Sequence, residues 1–170
     1  GANIGELYVA LNINFSAKIN YIGFEPSPNE FRCLILNASN QKHYQVALSE
    51  KSKRQKFYIS SEEADNSLIE PKYFSKTINL KSERLEKLVS KSKIKLLKID
   101  AEGAEIEVLK GCKNILKSIK YISVDLGPER GINSEPTFKD VIPYLITNGF
   151  VIQEISQKRY TFLFYNPMFE

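Results

Sequence analysis

The apolar run Ile94-Lys95-Leu96-Leu97-Lys98-Ile99 is too short for a free-standing helix and rich enough in Leu and Ile for a buried strand. Asp100 ends it. Beyond Asp100 the period changes: Ala104, Val108 and Leu109 recur at helical spacing with Ile106 beside them, and Gly111 stands where a helix stops. The reading is strand, acidic turn, helix. The same test predicts helices over residues 6–15, 29–38, 83–90 and 138–148, the last with Pro143 inside its first turns. It predicts strands over 19–24, 44–48, 54–60, 77–80 and 121–126, and a closing pair over 150–155 and 160–165. The four-residue link 156–159 makes that pair an antiparallel hairpin. Residues 61–75 carry the turn formers Asn66, Ser67, Glu70 and Pro71 and read as an irregular segment, of the kind that selects ligands.

Strands alternating with helices predict an α/β fold, its sheet mainly parallel with right-handed crossovers and the C-terminal hairpin added at an edge. With 170 residues and no internal repeat or linker, one domain over 1–170 is expected. Hydrophobic residues at 42% and charged residues at 26% exclude a disordered chain. The net charge of +4 is spread over many lysines. Lys51, Lys53, Arg54 and Lys56 are the nearest thing to a basic block, and without interleaved aromatics they predict a solvated turn rather than a nucleic-acid site. Cys33 and Cys112 fit no metal spacing, and a single imidazole, His43, builds no His-rich metal centre. The expectation is no bound metal, no disulfide framework and a reducing cytoplasm. His43 itself is expected at the surface. No apolar run approaches the ~20 residues of a membrane span.

Candidate chemistry falls at three predicted strand ends. The first is the turn Gly1-Ala2-Asn3-Ile4-Gly5. The second is Glu25, 20 residues after Gly5 and followed by Pro26-Ser27-Pro28. The third is Asp100 with Glu102. A glycine turn followed at that distance by an acid is suited to a ribose, whose two hydroxyls donate to carboxylate oxygens. A dinucleotide turn wants G-x-G-x-x-G. Here the middle glycine is absent and Glu6 follows directly, which repels phosphate. An uncharged or cationic ligand end fits better. S-adenosylmethionine has one: its sulfonium is positive, and Asp100 beside it is electrostatically favourable in a shielded site. The alternative reading of Glu102 and Glu105 is first-turn stabilisation of a helix dipole.

The motifs together resemble the FkbM-type methyltransferases, a class I S-adenosylmethionine-dependent family. In order they are Gly1 to Gly5, Phe24-Glu25-Pro26-Ser27-Pro28, Ala47-Leu48-Ser49, Asn66-Ser67-Leu68, and Lys98-Ile99-Asp100-Ala101-Glu102-Gly103-Ala104-Glu105 running on to Val108-Leu109-Lys110-Gly111. The resemblance implies a Rossmann-like class I sheet and transfer of a methyl group to a hydroxyl of a sugar, glycolipid or other small metabolite. It implies that Gly1, Ala2, Asn3 and Gly5 cradle the cofactor's amino-acid end, that Glu25 with Pro26 holds the ribose, and that Ala47 and Leu48 flank the adenine. Asn66, Ser67 and Glu102 join the cofactor site, and Asp100 lies near the transferred methyl. In the family an apolar strand ending in Asp precedes the first glycine, so further residues are expected before Gly1. Asp100, Glu102, Asp125 and Glu129 are candidates for a base, Asp100 first. Arg130 and the 61–75 segment are candidates for selecting a small-molecule or glycan acceptor. Three other readings compete: an inactive scaffold of the same fold, a nucleotide-dependent oxidoreductase, and a metal-assisted transferase in which Asp100, Glu102 and Asp125 would have to converge on one ion.

Overall fold

The computed structural model describes residues 1–16, 18–60, 65–89, 93–156 and 158–169. The chain divides into two units, Gly1–Ala47 and Leu48–Glu170.

In the first unit, helix α1 (Glu6–Asn14), strand β1 (Ile22–Phe24), helix α2 (Pro28–Asn37) and strand β2 (Lys42–Tyr44) follow one another. β1 and β2 are parallel, Ile22 opposite Lys42 and Phe24 opposite Tyr44. Pro28 occupies the first turn of α2, where its missing N–H costs nothing. Tyr8, Leu34 and Ala38 form a small core, with Ala2, Tyr21 and Phe31 packed on it. The expected strand over 44–48 is broken: β2 ends at Tyr44 and β3 (Ala47–Leu48) is separate.

The second unit holds a mixed sheet of four strands in the order Val151–Ile155, Thr161–Tyr165, Ile119–Asp125, Ile94–Ile99. Strand β4 (Lys53–Ile59) pairs antiparallel with β5 (Lys76–Glu83), Phe57 turning its ring inward at 2% exposure. A four-residue helix α3 (Leu85–Leu88) then leads toward β6 (Ile94–Ile99), which coincides with the predicted strand. After the acidic turn come α4 (Glu105–Lys110), a short 3-10 stretch (Lys113–Ser118) and β7 (Ile119–Asp125), parallel to β6. A small hairpin of β8 (Pro128–Arg130) and β9 (Glu135–Pro136) precedes α5 (Phe138–Thr147). The closing strands β10 (Val151–Ile155) and β11 (Thr161–Tyr165) form the expected antiparallel hairpin. Ile99, Leu109, Ile119, Ile122, Val124, Leu145 and Phe164 are fully or almost fully buried.

The fold is thus mixed α/β, but the expected predominance of parallel pairing is not found. Only β1–β2 and β6–β7 are parallel among the described strand pairs with a given register. β11 pairs antiparallel with β7, and β4–β5 is a second antiparallel pair. The physical reason is connection length and content: a parallel partner needs a crossover of a dozen or more residues, usually helical, and none separates β10 from β11. Between β4 and β5 no helix is described, and residues 61–64 lie outside the described residues. No described helix is long and apolar enough to cross a membrane.

Glu83, at the end of β5, sets one acid-dependent part of stability. The Ser52 hydroxyl and the Arg84 N–H donate to Glu83 Oε1, and the Lys87 and Lys81 ammoniums each lie 3.5 Å from the carboxylate. These partners, the hydroxyl first, hold its carboxyl down at about 2, against the opposing effect of burial. A lowered carboxylate stabilises the fold above its ordinary value of 4.5, and that stabilisation is lost as pH falls from there toward about 2. Urea melts between neutral pH and pH ~2 should therefore show a steeper acid loss in the wild type than in Glu83→Gln. Parallel curves would remove Glu83 from the acid response.

Candidate functional site

In the first unit the glycine turn and Glu25 lie together. Asn3 (φ 48°) and Gly5 (φ 89°) are left-handed, and the Gly5 N–H closes the turn on the Ala2 carbonyl at 2.9 Å. A Cβ on Gly5 would stand 3.0 Å from Leu34 Cδ1, so glycine is needed both for the backbone and for the packing of α1 on α2. The Ala2 N–H donates to the Phe24 carbonyl, and the Asn3 N–H donates to Glu25 Oε2 at 2.8 Å. The Ser27 N–H donates to Glu25 Oε1 at 3.0 Å. Glu25 is 6% exposed. Each of its oxygens carries one backbone bond. A carboxylate has about four acceptor positions, so capacity for two sugar hydroxyls remains. Pro26 shapes the bend after Glu25, and Ala47 is buried.

His43 is not the surface residue expected. It is half-buried, with Nε2 2.7 Å from the Ala38 carbonyl oxygen, and it takes no part in the turn. Its ring lies against Tyr21, whose hydroxyl is pushed up to about 12 by burial first and then by Glu6 and Glu25.

The second unit gathers the acidic residues. Asp100 sits at the end of β6, its Oδ2 2.7 Å from Lys98 Nζ. Glu102 has φ 50° and Gly103 φ 90°, so the turn passes through two consecutive left-handed residues before α4 begins. Oxygens of Asp100, Glu102 and Glu129 lie within 4.8 Å of one another. Among the described residues this is the one group of acids, thiols and imidazoles close enough to share a single cation. Burial, then repulsion by Glu129 and Asp100, raises the Glu102 carboxyl well above the ordinary range, and burial, then Asp125, does the same to Glu129. The cluster is a concentration of like charge that a cation would relieve.

Asp125 does not join it. Its Oδ1 accepts the Gly127 N–H at 3.0 Å and its Oδ2 the Thr161 hydroxyl at 3.3 Å, which directs the carboxylate to its own turn and to β11. Glu129, whose N–H donates to the Gly127 carbonyl at 3.0 Å, stands with Asp100 and Glu102 instead. Ser67 does reach the acidic turn: its hydroxyl donates to the Glu102 carbonyl at 2.6 Å and is itself the acceptor for the Ile69 N–H. Asn66 instead accepts the Ser60 N–H through its side chain, a loop-shaping bond. Leu48 lies in β3, half-buried. Arg130 is not a free selector of acceptors. It donates to the Gly103 carbonyl and to both oxygens of Glu107, at 2.9 and 2.7 Å. Glu107 was missed in the sequence, and its spacing from Arg130 offered no signal. The part of the selector segment over 61–64 lies outside the described residues. Cys33 and Cys112 are both free thiols, and burial pushes Cys112 up to about 12. At the far end of α4 from the acidic turn, a cleft of about 440 Å³ is lined by Glu50, Lys51, Arg84, Lys110, Lys113 and Tyr144. None of these is a residue singled out for cofactor or base. Lys110 complements the carboxyl end of the α4 dipole, and Arg84 pairs with Glu86.

No curated protein matches the sequence. The crystal structure of Methyltransferase FkbM from Methylobacillus flagellatus KT superposes with a TM-score of 0.64 at 14% sequence identity. The match takes in 97% of this chain and 41% of that one, so the present chain spans less than half of that protein, and at such identity the likeness speaks for the fold alone. The family model of the Methyltransferase FkbM domain matches residues 1–152. That range contains the glycine turn, Glu25 and all three clustered carboxylates, and by it the chain belongs to the FkbM methyltransferase family.

Proposed function

We propose that this chain is an S-adenosylmethionine-dependent methyltransferase of the Rossmann-like class I type. It transfers a methyl group to a hydroxyl of a sugar, glycolipid or other small metabolite. The observation that carries the reading is the Asp100–Glu102–Glu129 cluster, three carboxylates held within 4.8 Å in a methyltransferase-family domain. The residues present fit the cofactor. Within the second unit the acidic cluster suits a cationic group such as the sulfonium, and within the first unit Glu25 keeps acceptor capacity for a ribose. The bound cofactor supplies an activated methyl on a positive sulfur.

Gly1 to Gly5 form the turn for the amino-acid end, and Ala47 and Leu48 are the apolar residues assigned to the adenine. Ser67 holds the acidic turn through the Glu102 carbonyl. Asp100, with a side chain 36% exposed, can meet an acceptor hydroxyl and take its proton. Alignment of hydroxyl and methyl supplies much of the rate, up to ~7–11 kcal/mol in well-oriented systems. Two unpaired cysteines are the basis for proposing a reducing cytoplasm as the setting.

Calorimetric titration of S-adenosylmethionine and S-adenosylhomocysteine into the protein tests the reading, with Glu25→Ala as control. The expected result is micromolar binding, weakened at least tenfold in the variant. Absence of heat with a cooperatively folding protein would favour the inactive scaffold. Binding of a nicotinamide dinucleotide instead would favour the oxidoreductase. Activity that vanishes with EDTA and returns with Mg²⁺ would assign the cluster to a metal.

A further inference from the structure

We propose that Glu105 is the positioning residue that holds the turn 101–103 in the shape presenting Asp100, Glu102 and Glu129 to the cationic end of the cofactor. The proposal rests on the methyltransferase reading above.

Glu105 is the first residue of α4 and is 0% exposed. A glutamate at this place would ordinarily be read as a charge stabilising its own helix. Its side chain runs the other way. Oε1 accepts the Ala101 N–H at 3.0 Å and the Gly103 N–H at 3.1 Å, both from residues that precede the helix. These two donors flank Glu102, whose left-handed backbone a side-chain-bearing residue rarely adopts. The carbonyls of the same turn face other partners: the Ser67 hydroxyl donates to the Glu102 carbonyl, and Arg130 donates to the Gly103 carbonyl. The turn is therefore shaped by three side chains from three separate segments, and Glu105 alone among them grips it through its N–H groups. The grip matters because the three carboxylates repel one another. Without an opposing hold, repulsion would rotate Glu102 out of the cluster. Both gripping bonds end on Oε1, so they need only a single oxygen acceptor. Glutamine provides that acceptor at the same reach.

Two variants, Glu105→Gln and Glu105→Ala, are compared with the wild type by calorimetric titration of S-adenosylmethionine. The Ala101 and Gly103 amides are followed in parallel by hydrogen exchange. The expected result is that Glu105→Ala melts cooperatively, exchanges both amides faster, and binds at least tenfold more weakly. Glu105→Gln should stay within about threefold of the wild type in both measurements. Equal affinity in wild type and Glu105→Ala would overturn the proposal, and so would a glutamine variant as impaired as alanine. If alanine fails to fold, Glu105→Asp, one methylene too short to reach both donors, takes its place with the same expectations. A wild type that binds no S-adenosylmethionine overturns the cofactor reading itself, an outcome distinct from a wild type that binds and an alanine variant that binds equally well.

Discussion

Asp100→Asn is expected to lower methyl transfer by about 10²–10⁴-fold while leaving the thermal melt within a few degrees of the wild type. The substitution keeps the shape of the side chain and removes its ability to take a proton. The cost to the fold is small. Asp100 pairs with Lys98 in a half-exposed ion pair, the two side chains 36% and 32% exposed, and such pairs contribute about 0–1 kcal/mol. Asparagine can still accept from the Lys98 ammonium. It also removes a carboxylate whose charge repels those of Glu102 and Glu129, which offsets part of that loss. Single-turnover transfer of labelled methyl to a hydroxylated acceptor found by screening, read beside a melting curve, checks both halves. An asparagine variant that transfers at the full rate would remove Asp100 from the mechanism and pass the role of base to Glu129.

The second large effect lies three residues on. Gly103→Ala should destabilise the protein by about 3–5 kcal/mol, through a strained left-handed backbone and a steric clash acting together. Gly103 has φ 90°, and a Cβ built there would stand 2.6 Å from Arg130 Cα and 2.9 Å from the Glu129 carbonyl oxygen. Both neighbours are main-chain atoms, and Arg130 is tied down by its bonds to Glu107 and to the Gly103 carbonyl. They cannot step aside as the end of a flexible side chain would. If the variant does fold, Glu129 is pushed away from Asp100 and Glu102, so cofactor affinity should fall as well. Urea unfolding measures the first effect and titration the second. A loss of less than about 1 kcal/mol would show that the 128–131 segment yields freely, contrary to the contacts described.

The two expectations differ in how far the sequence alone supports them. Asp100 stands at the end of an alternation-free apolar run, and β6 ends at Ile99 as that run predicts. The strand's bounds are a local signal, as is the helix α4 that follows, because each is written in residues close together in the chain; its expected burial is not met, since only Ile99 is buried and Leu96 is 42% exposed. The same holds for the turn before α1, where only glycine suits both the φ of Gly5 and the contact with Leu34. The spacing from Gly5 to Glu25 was also legible, and the Asn3 N–H donates to Glu25 in the fold. The role of Gly103 was not. It depends on Arg130, 27 residues away, and no period or composition reports such a distance. Glu129 in place of Asp125 is a case of the same kind. Asp125 ends its strand, but its oxygens turn to the Gly127 N–H and the Thr161 hydroxyl, and it is Glu129 that lies with Asp100 and Glu102.

By itself, the sequence determined where strands and helices begin in the Asp100 region, the glycine turn before α1 and the family. These follow from side-chain period, backbone freedom and short-range spacing, all of which act along the chain. Tertiary structure alone decided that β4 and β5 pair antiparallel and that β11 joins β7. It also decided that Arg130 is an anchor for Glu107 and Gly103, that Glu105 grips the turn behind it, and which three carboxylates meet. Each of these is a choice among partners distant in sequence, made by burial and hydrogen-bond satisfaction across the folded unit, where a local pattern allows several answers and packing allows one.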